Sequence, residues 1–260
     1  MRILFIGDVV GKLGRQCVRS ILPKLASTLK PTYIIANGEN AAGGFGIDES
    51  SAEELFSAGV HLITSGNHIW DKKEIVQHIT KEERIMRPLN YPPGVPGHGS
   101  FILRGDGKPA LAVLNAMGRV FMPALDCPFR TTQQEIEKLK QDTDLVIVDF
   151  HAEATSEKIA FGYYFDGKVS AVIGTHTHVQ TADEKILPKG TAYITDVGMT
   201  GPVYSVIGVE VDQVIGKFLT MMPRKFDTAK GDGLLCGAVI DINEKNGQAT
   251  AIQRLQLTYP

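Results

Sequence analysis

The chain alternates short apolar runs with amphipathic stretches, and the runs stop abruptly at polar residues. RILFIG (2–7) halts before Asp8, YIIANG (33–38) before Glu39 and Asn40, and HLITSG (61–66) before Asn67 and His68. Runs of this length, rich in Ile and aromatic residues and closed by Gly, read as buried strands. The stretches after them read as helices: RQCVRSILPKLASTL (15–29, with an internal Pro23), DESSAEELFSAG (48–59) and DKKEIVQHI (71–79). The second opens on acidic N-cap signals and closes at a Gly. Such alternation restricts the chain to parallel βαβ units, because consecutive parallel strands need a crossover between them.

The middle is richer in strands. SFILR (100–104), LAVLNAMG (111–118), DLVIVDFH (144–151), VSAVIGTH (169–176) and TAYITDVG (191–198) qualify, with a helix at TTQQEIEKLKQ (131–141). In the tail, 234–259, an Asn246-Gly247 turn separates two alternating segments and predicts a hairpin. No repeat, low-complexity segment or linker divides the chain. The expectation is one domain over residues 1–260, built as two packed mixed sheets flanked by helices.

Composition narrows the function. With 27 basic and 29 acidic residues the net charge is −2, so there is no general field to hold a long nucleic acid or an anionic membrane. A small phosphate ester in a local site stays open. Cys17, Cys127 and Cys236 are three, far apart and without a C-x-x-C, which disfavours disulfides and thiolate zinc sites. The opening run MRILFIGDVV is too short for a signal sequence or a membrane helix, so a cytoplasmic location is expected.

The polar residues at strand ends carry the chemistry. Besides Asp8, Glu39, Asn40, Asn67 and His68, the strand DLVIVDFH ends in His151, and VSAVIG leads into GTHTH with His176 and His178. In open α/β sheets, ligands bind at the carboxyl ends of strands. In extended chain, i and i+2 share a side, so the two imidazoles of GTHTH would point together at a metal, a phosphate or no ligand at all. Each piece alone has an ordinary explanation: Asp8 as a helix cap, Gly-Glu-Asn and Gly-Asn-His as turns, His151 as a core histidine. Unrelated strands have no structural reason to repeat the pattern, and together the residues point to a metal centre. His61, His78 and His98 lack this placement and read as structural. Oxygen and imidazole donors without thiolates suit Mn, Fe or Zn. Seven candidate ligands exceed one four-coordinate ion and fit two ions sharing an anionic bridge, for which Glu39 is the natural choice.

The order of these motifs resembles the calcineurin-like metallophosphoesterases, whose usual pattern is D-x-H, G-D, G-N-H-[ED], H and G-H-x-H. Three departures stand out: Val10 replaces the first histidine, Glu39 stands where an Asp bridges, and Thr175 delays the H-x-H pair by one residue. They match the YmdB-like bacterial phosphodiesterases, which also show IGDVVGK..GR, NGEN-AAGG-GI, TSGNHIWD, HAEATSEK and DVGMTGP, here at 6–15, 37–47, 64–71, 151–158 and 196–202. The resemblance implies a four-layer αββα sandwich, hydrolysis of 2′,3′- and 3′,5′-cyclic nucleotides, and two divalent transition ions, Fe or Mn. By the same resemblance Asp8, Glu39, Asn40 and His178 hold the first ion. Glu39, Asn67, His151 and His176 hold the second, and His68 is the catalytic histidine.

In that chemistry a bridging hydroxide attacks phosphorus while protonated His68 stabilises the transition state and protonates the leaving alkoxide. A small cyclic-nucleotide or phosphodiester substrate is the expected partner, and a homo-oligomer stays open. Two alternatives stand beside this reading: a regulatory protein that binds nucleotide or a partner with incidental turnover, and an enzyme acting on phosphomonoesters or RNA ends. Three further expectations concern neighbouring segments. Thr155, Ser156 and Lys158 would cap a helix after His151, the 196–202 segment would offer N–H groups to phosphate or be a plain turn, and Arg130 would clamp a nucleotide or lie on the surface.

Overall fold

A computed structural model describes residues 1–105 and 107–260. The strands are β1 (Arg2–Ile6), β2 (Asp8–Val9), β3 (Tyr33–Asn37), β4 (Leu62–Thr64), β5 (Ser100–Gly105), β6 (Lys108–Met117), β7 (Val146–His151), β8 (Ala171–Thr175), β9 (Lys185–Ile186), β10 (Ala192–Ile194), β11 (Met199–Pro202), β12 (Gly233–Ile242) and β13 (Ala249–Tyr259). The helices are α1 (Gly11–Leu29), α2 (Glu49–Ser57), α3 (Ile75–His78), α4 (Pro128–Leu139), α5 (Thr155–Phe165) and α6 (Val211–Thr220).

Two mixed sheets result. The first runs β2-β11-β12-β1-β3-β4, with β13 along the other edge of β12; the second runs β5-β6-β7-β8-β10-β9. In the first, β1, β3 and β4 are parallel; in the second, β6, β7, β8 and β10 are. The period-2 alternation of a strand decides the layers. Ile3, Phe5 and Ile35 face the other sheet and meet Val113, Ile147 and Ile173, whereas Leu4, Ile6 and Ala36 face outward onto Val18 and Leu22 of α1 and Leu55 of α2. On the far side Leu114, Val148 and Val172 cover Ile136 of α4 and Phe161 of α5. The order is therefore αββα, as the resemblance implied. A fully buried Ile or Phe stabilises by about 1.5–3 kcal/mol, so this three-layered apolar packing fixes the two sheets against each other.

Several local expectations change. Asp71, read as the start of a helix over 71–79, instead bonds His68, and only Ile75–His78 remain helical, without a side-chain cap. The helix after His151 forms, but Ala154 is its N-cap and Thr155 and Ser156 do not cap it. Residues 199–202 are a strand paired to β2 and β12, so the 196–202 segment is neither a turn nor an open row of N–H donors. α6, with Gly216 inside and no side-chain cap, escaped the sequence reading.

Candidate active site

The parallel strands of both sheets end at one edge, and the polar residues beyond them meet there across the seam. Asp8 opens β2, Glu39 and Asn40 follow β3, Asn67 and His68 follow β4, His151 ends β7, and His176 and His178 follow β8. Glycines make the meeting close. A Cβ on Gly66 would stand 2.1 Å from Cδ2 of His151, and one on Gly174 would stand 1.8 Å from the Thr195 carbonyl oxygen. Neither has a positive φ, so their use is close approach rather than a sharp turn. The GTHTH loop is not extended either: His176 and His178 have φ of 103° and 66°. Left-handed backbone at two non-glycine residues is strain of the kind concentrated at functional sites. It is this backbone, not strand alternation, that turns both imidazoles inward.

Nε2 of His151 is the centre of the arrangement. Glu39 Oε1 lies 3.0 Å from it, Asn67 Oδ1 3.1 Å and His176 Nδ1 3.0 Å. A proton on Nε2 can serve one of these atoms; a divalent cation can serve all of them. Ligand atoms of Glu39, His151 and His176 lie within 4.8 Å of one another. A step away, His178 Nε2 is 3.9 Å from Asp8 Oδ1 and 3.3 Å from Asn40 Nδ2, which is in turn 3.4 Å from Glu39 Oε1. Asp8 Oδ1 is buried and, among the described residues, has no hydrogen-bond partner. A buried carboxylate oxygen left bare is costly, and a cation beside it removes the cost. The donor set thus fits cation binding, and Glu39 joins its two groups of donors. Asn40 would have to turn its amide over to present Oδ1.

The charges respond to this crowding. Burial works to raise Glu39, but the charge and hydrogen bond of His151, then His68, outweigh it and hold the carboxyl at about 2. Burial works to lower His151, but Glu39, then Asp8 and Asp149, hold it up at about 9. Burial and then the His151 charge push His176 down to about 3. Asp8 is raised, first by burial.

Behind His151 lies a relay that sequence reasoning missed. Thr175 Oγ1 donates to Asp149 Oδ1 at 2.7 Å and, its one proton used, accepts from His151 Nδ1 at 2.9 Å. Asp149 Oδ2 accepts from Thr64 Oγ1 at 2.5 Å and Asn37 Nδ2 at 3.1 Å. With a cation in place of the Nε2 proton, this relay would keep the remaining proton of His151 on Nδ1 and turn the Nε2 lone pair to the cluster, the tautomer a metal ligand needs. Asp149 lies inside β7, whereas Asn37, Thr64 and Thr175 are the last residues of β3, β4 and β8. A second missed device is the buried ion pair Lys158 Nζ–Asp196 Oδ2 at 2.7 Å; Asp196 also accepts from the N–H of Thr177, between the two loop histidines. Lys158 is thus a strut for the loop rather than a cap.

Asn67 and His68 diverge as adjacent residues in a tight turn should. Asn67 faces His151, while His68 Nδ1 is 2.7 Å from Asp71 Oδ2 and its N–H donates to Glu39 Oε2. His68 lines a cavity of about 600 Å³ that also touches Glu39, Asn40, His176 and His178. Arg130 is exposed on α4, away from that cavity. His61, His78 and His98 lie outside the cluster: His61 Nδ1 accepts from the N–H of Ile34, His78 lies 3.8 Å from Glu49, and His98 Nδ1 bonds the Ser100 carbonyl.

Among the described residues no helix is long and apolar enough to cross a membrane. Residues 4–255 match the family described as YmdB-like protein. A curated relative, the 2′,3′-cyclic-nucleotide 2′-phosphodiesterase of Bacillus subtilis (strain 168), is 51% identical over 255 residues, 98% of this chain and 96% of that one. A crystal structure of a hypothetical protein from Thermus thermophilus superposes with a TM-score of 0.94 at 45% identity, covering 100% of both chains. Another, described as a novel phosphatase of Mycoplasma pneumoniae, gives 0.93 at 36% identity over 100% of this chain and 94% of that one. On these grounds the chain belongs to the YmdB-like family and is an enzyme of its phosphatase and phosphodiesterase kind.

Proposed function

We propose that this enzyme is a metal-dependent phosphodiesterase that opens 2′,3′- and 3′,5′-cyclic nucleotides, working as a single domain in the cytoplasm. Glu39, Asn67, His151 and His176 would hold one ion, and Asp8, Glu39, Asn40 and His178 would hold the other. The observation that supports this most is the convergence of three polar atoms within 3.1 Å of His151 Nε2, beside the unpartnered Asp8 Oδ1. When bound, the two divalent ions, Fe or Mn, supply charge for the phosphoryl oxygens and acidify water into a nucleophile. Glu39 offers one carboxylate to both sites, and the Asp149–Thr175–His151 relay holds a ligand nitrogen in its aim. Asp71 holds Nδ1 of His68, leaving Nε2 of that ring to give a proton to the departing alkoxide.

Metal analysis of protein purified without chelator, joined to an assay panel, tests the reading. The panel holds cyclic nucleotides, linear dinucleotides and phosphomonoesters, each with Mn and Fe. Two transition ions per chain and highest kcat/KM on cyclic nucleotides are expected. One tight ion with no second site in titration would overturn the shared role of Glu39. Turnover confined to monoesters would overturn the substrate class, and turnover too slow to matter on every ester would favour a binding protein.

A further inference from the structure

The cavity beside the cluster has two unlike halves. One carries Glu39, Asn40, His68, His176 and His178; the other is walled by Ile207, Val209, Val214, Phe218 and Phe226. Phe45 stands at the join, its ring 5.2 Å from that of His68 at an interplanar angle of 63°. Among the described residues, Lys217 is the one Lys or Arg lining the space, and its Nζ lies 5.0 Å over the Phe226 ring. Asp227 also lines it, but its Oδ2 accepts from Gln213 Nε2 at 2.9 Å. Beyond Lys217, the described lining of this half holds no Lys or Arg for a second or third phosphate. What it offers is flat apolar surface.

Two features show that the wall is not incidental. On α6, Val211, Val214, Ile215 and Phe218 fall at i, i+3, i+4 and i+7, an apolar stripe that ordinarily packs on a core. Here Val214 alone is buried, and Phe218 stays 74% exposed at the cavity mouth. Ile207, also in the lining, is held at φ 47°, a left-handed conformation that β-branched residues avoid. Its carbonyl accepts from His178 Nδ1 at 2.9 Å. The same strained turn thus orients a candidate metal ligand through its backbone and presents apolar surface through its side chain.

Resting on the phosphodiesterase reading, we propose that this apolar half is a nucleobase subsite, with Phe218 and Phe45 covering the faces of the base. A cyclic mononucleotide carries its phosphate on the ribose and its base on the anomeric carbon of the same ring. With the phosphate on the metal cluster, the base projects one sugar away, into the other half of the cavity. The volume of about 600 Å³ lies within the range of pockets that enclose a small ligand. The apolar side chains of this wall can contact the faces of a base but cannot hydrogen-bond its edges. Recognition is then by stacking, tolerant of base identity and stronger for purines.

The test compares 2′,3′-cyclic AMP with methyl riboside 2′,3′-cyclic phosphate, its base-free counterpart, in the metal-loaded enzyme. The ratio of kcat/KM for the two should fall about 5- to 100-fold in Phe218→Ala, the usual range for losing one base–aromatic contact. Phe218→Trp should keep the ratio, and Phe45→Ala should lower it. A ratio unchanged in both alanine variants overturns the subsite. An unchanged ratio with a shifted sedimentation coefficient does so too, and assigns α6 to contact with a second copy. If the parent cleaves neither ester, the reading of the reaction fails. The subsite is then judged by calorimetry, with adenosine 3′-monophosphate expected to bind more tightly than ribose 5-phosphate in the parent but not in Phe218→Ala; equal binding in the parent overturns it.

Discussion

Replacing Thr175 by Val keeps the shape of the side chain and removes the atom that joins Asp149 to His151. Both partners are fully buried, and the hydroxyl serves them at 2.7 and 2.9 Å. Asp149 Oδ2 keeps Thr64 and Asn37, but Oδ1 loses its donor, and the His151 Nδ1 proton loses its acceptor. Leaving a buried polar group unpaired costs about 1–3 kcal/mol, so the variant should lose about 2–6 kcal/mol if both costs are felt. For a chain of this length that lowers Tm by roughly 4–12 °C. The loss of orientation is a separate effect. Partners behind a ligating histidine are worth about 10- to 100-fold in metal affinity or activity. Thermal unfolding in chelator reads the first effect, and competition for metal against a chromophoric chelator reads the second. A variant that binds its ions and turns over like the parent would refute the relay, whatever its Tm. Lower Tm with intact affinity would reduce Thr175 to a packing residue.

His68→Ala should lose about 10²–10⁴-fold in kcat while keeping both ions, since general acid help is worth that much; metal analysis showing a lost ion would make His68 a ligand instead. Asn40→Ala should weaken the ion shared with Asp8 and His178 and leave the Asn67, His151 and His176 site filled, as titration calorimetry would show. Gly66→Ala should displace His151, because the new Cβ would stand 2.2 Å from its Nε2. Overpacking of this kind costs about 1–3 kcal/mol, and the expected signs are a lowered Tm and a lost ion. In protein stripped by chelator, His151 is held at about 9 against an ordinary value of 6.5, a raised folded value. Its contribution to stability is full below 6.5 and drains away as pH rises through 9, so Tm should fall across that window. A Tm that climbs there would contradict the Glu39–His151 pairing.

How much of this was written locally follows from range. The strands, the pairing of two mixed sheets with flanking helices and the residues at strand ends were legible because apolar runs and strand-terminal polar residues are signals spanning a few positions; the αββα order came from the resemblance. Resemblance supplied the proposed ligand grouping. The sequence also marked Gly66 and Gly174, though not their purpose, which depends on a ring and a carbonyl brought in from other strands. The rest needed three dimensions. Asp149 sits mid-strand in an apolar run, and its partners Thr64 and Asn37 lie 85 and 112 residues away. Lys158 reads as a helix-start residue until Asp196, 38 positions on, pairs with it. Asp71 looked like a helix signal because its competing partner, His68, is itself aimed by Glu39 from another strand. The stripe on α6 was readable as a pattern only once the structure showed that the core does not cover it. Local chemistry decides which residues stand at the ends of strands; the packing of two sheets decides which of them share a proton, a cation or a cavity.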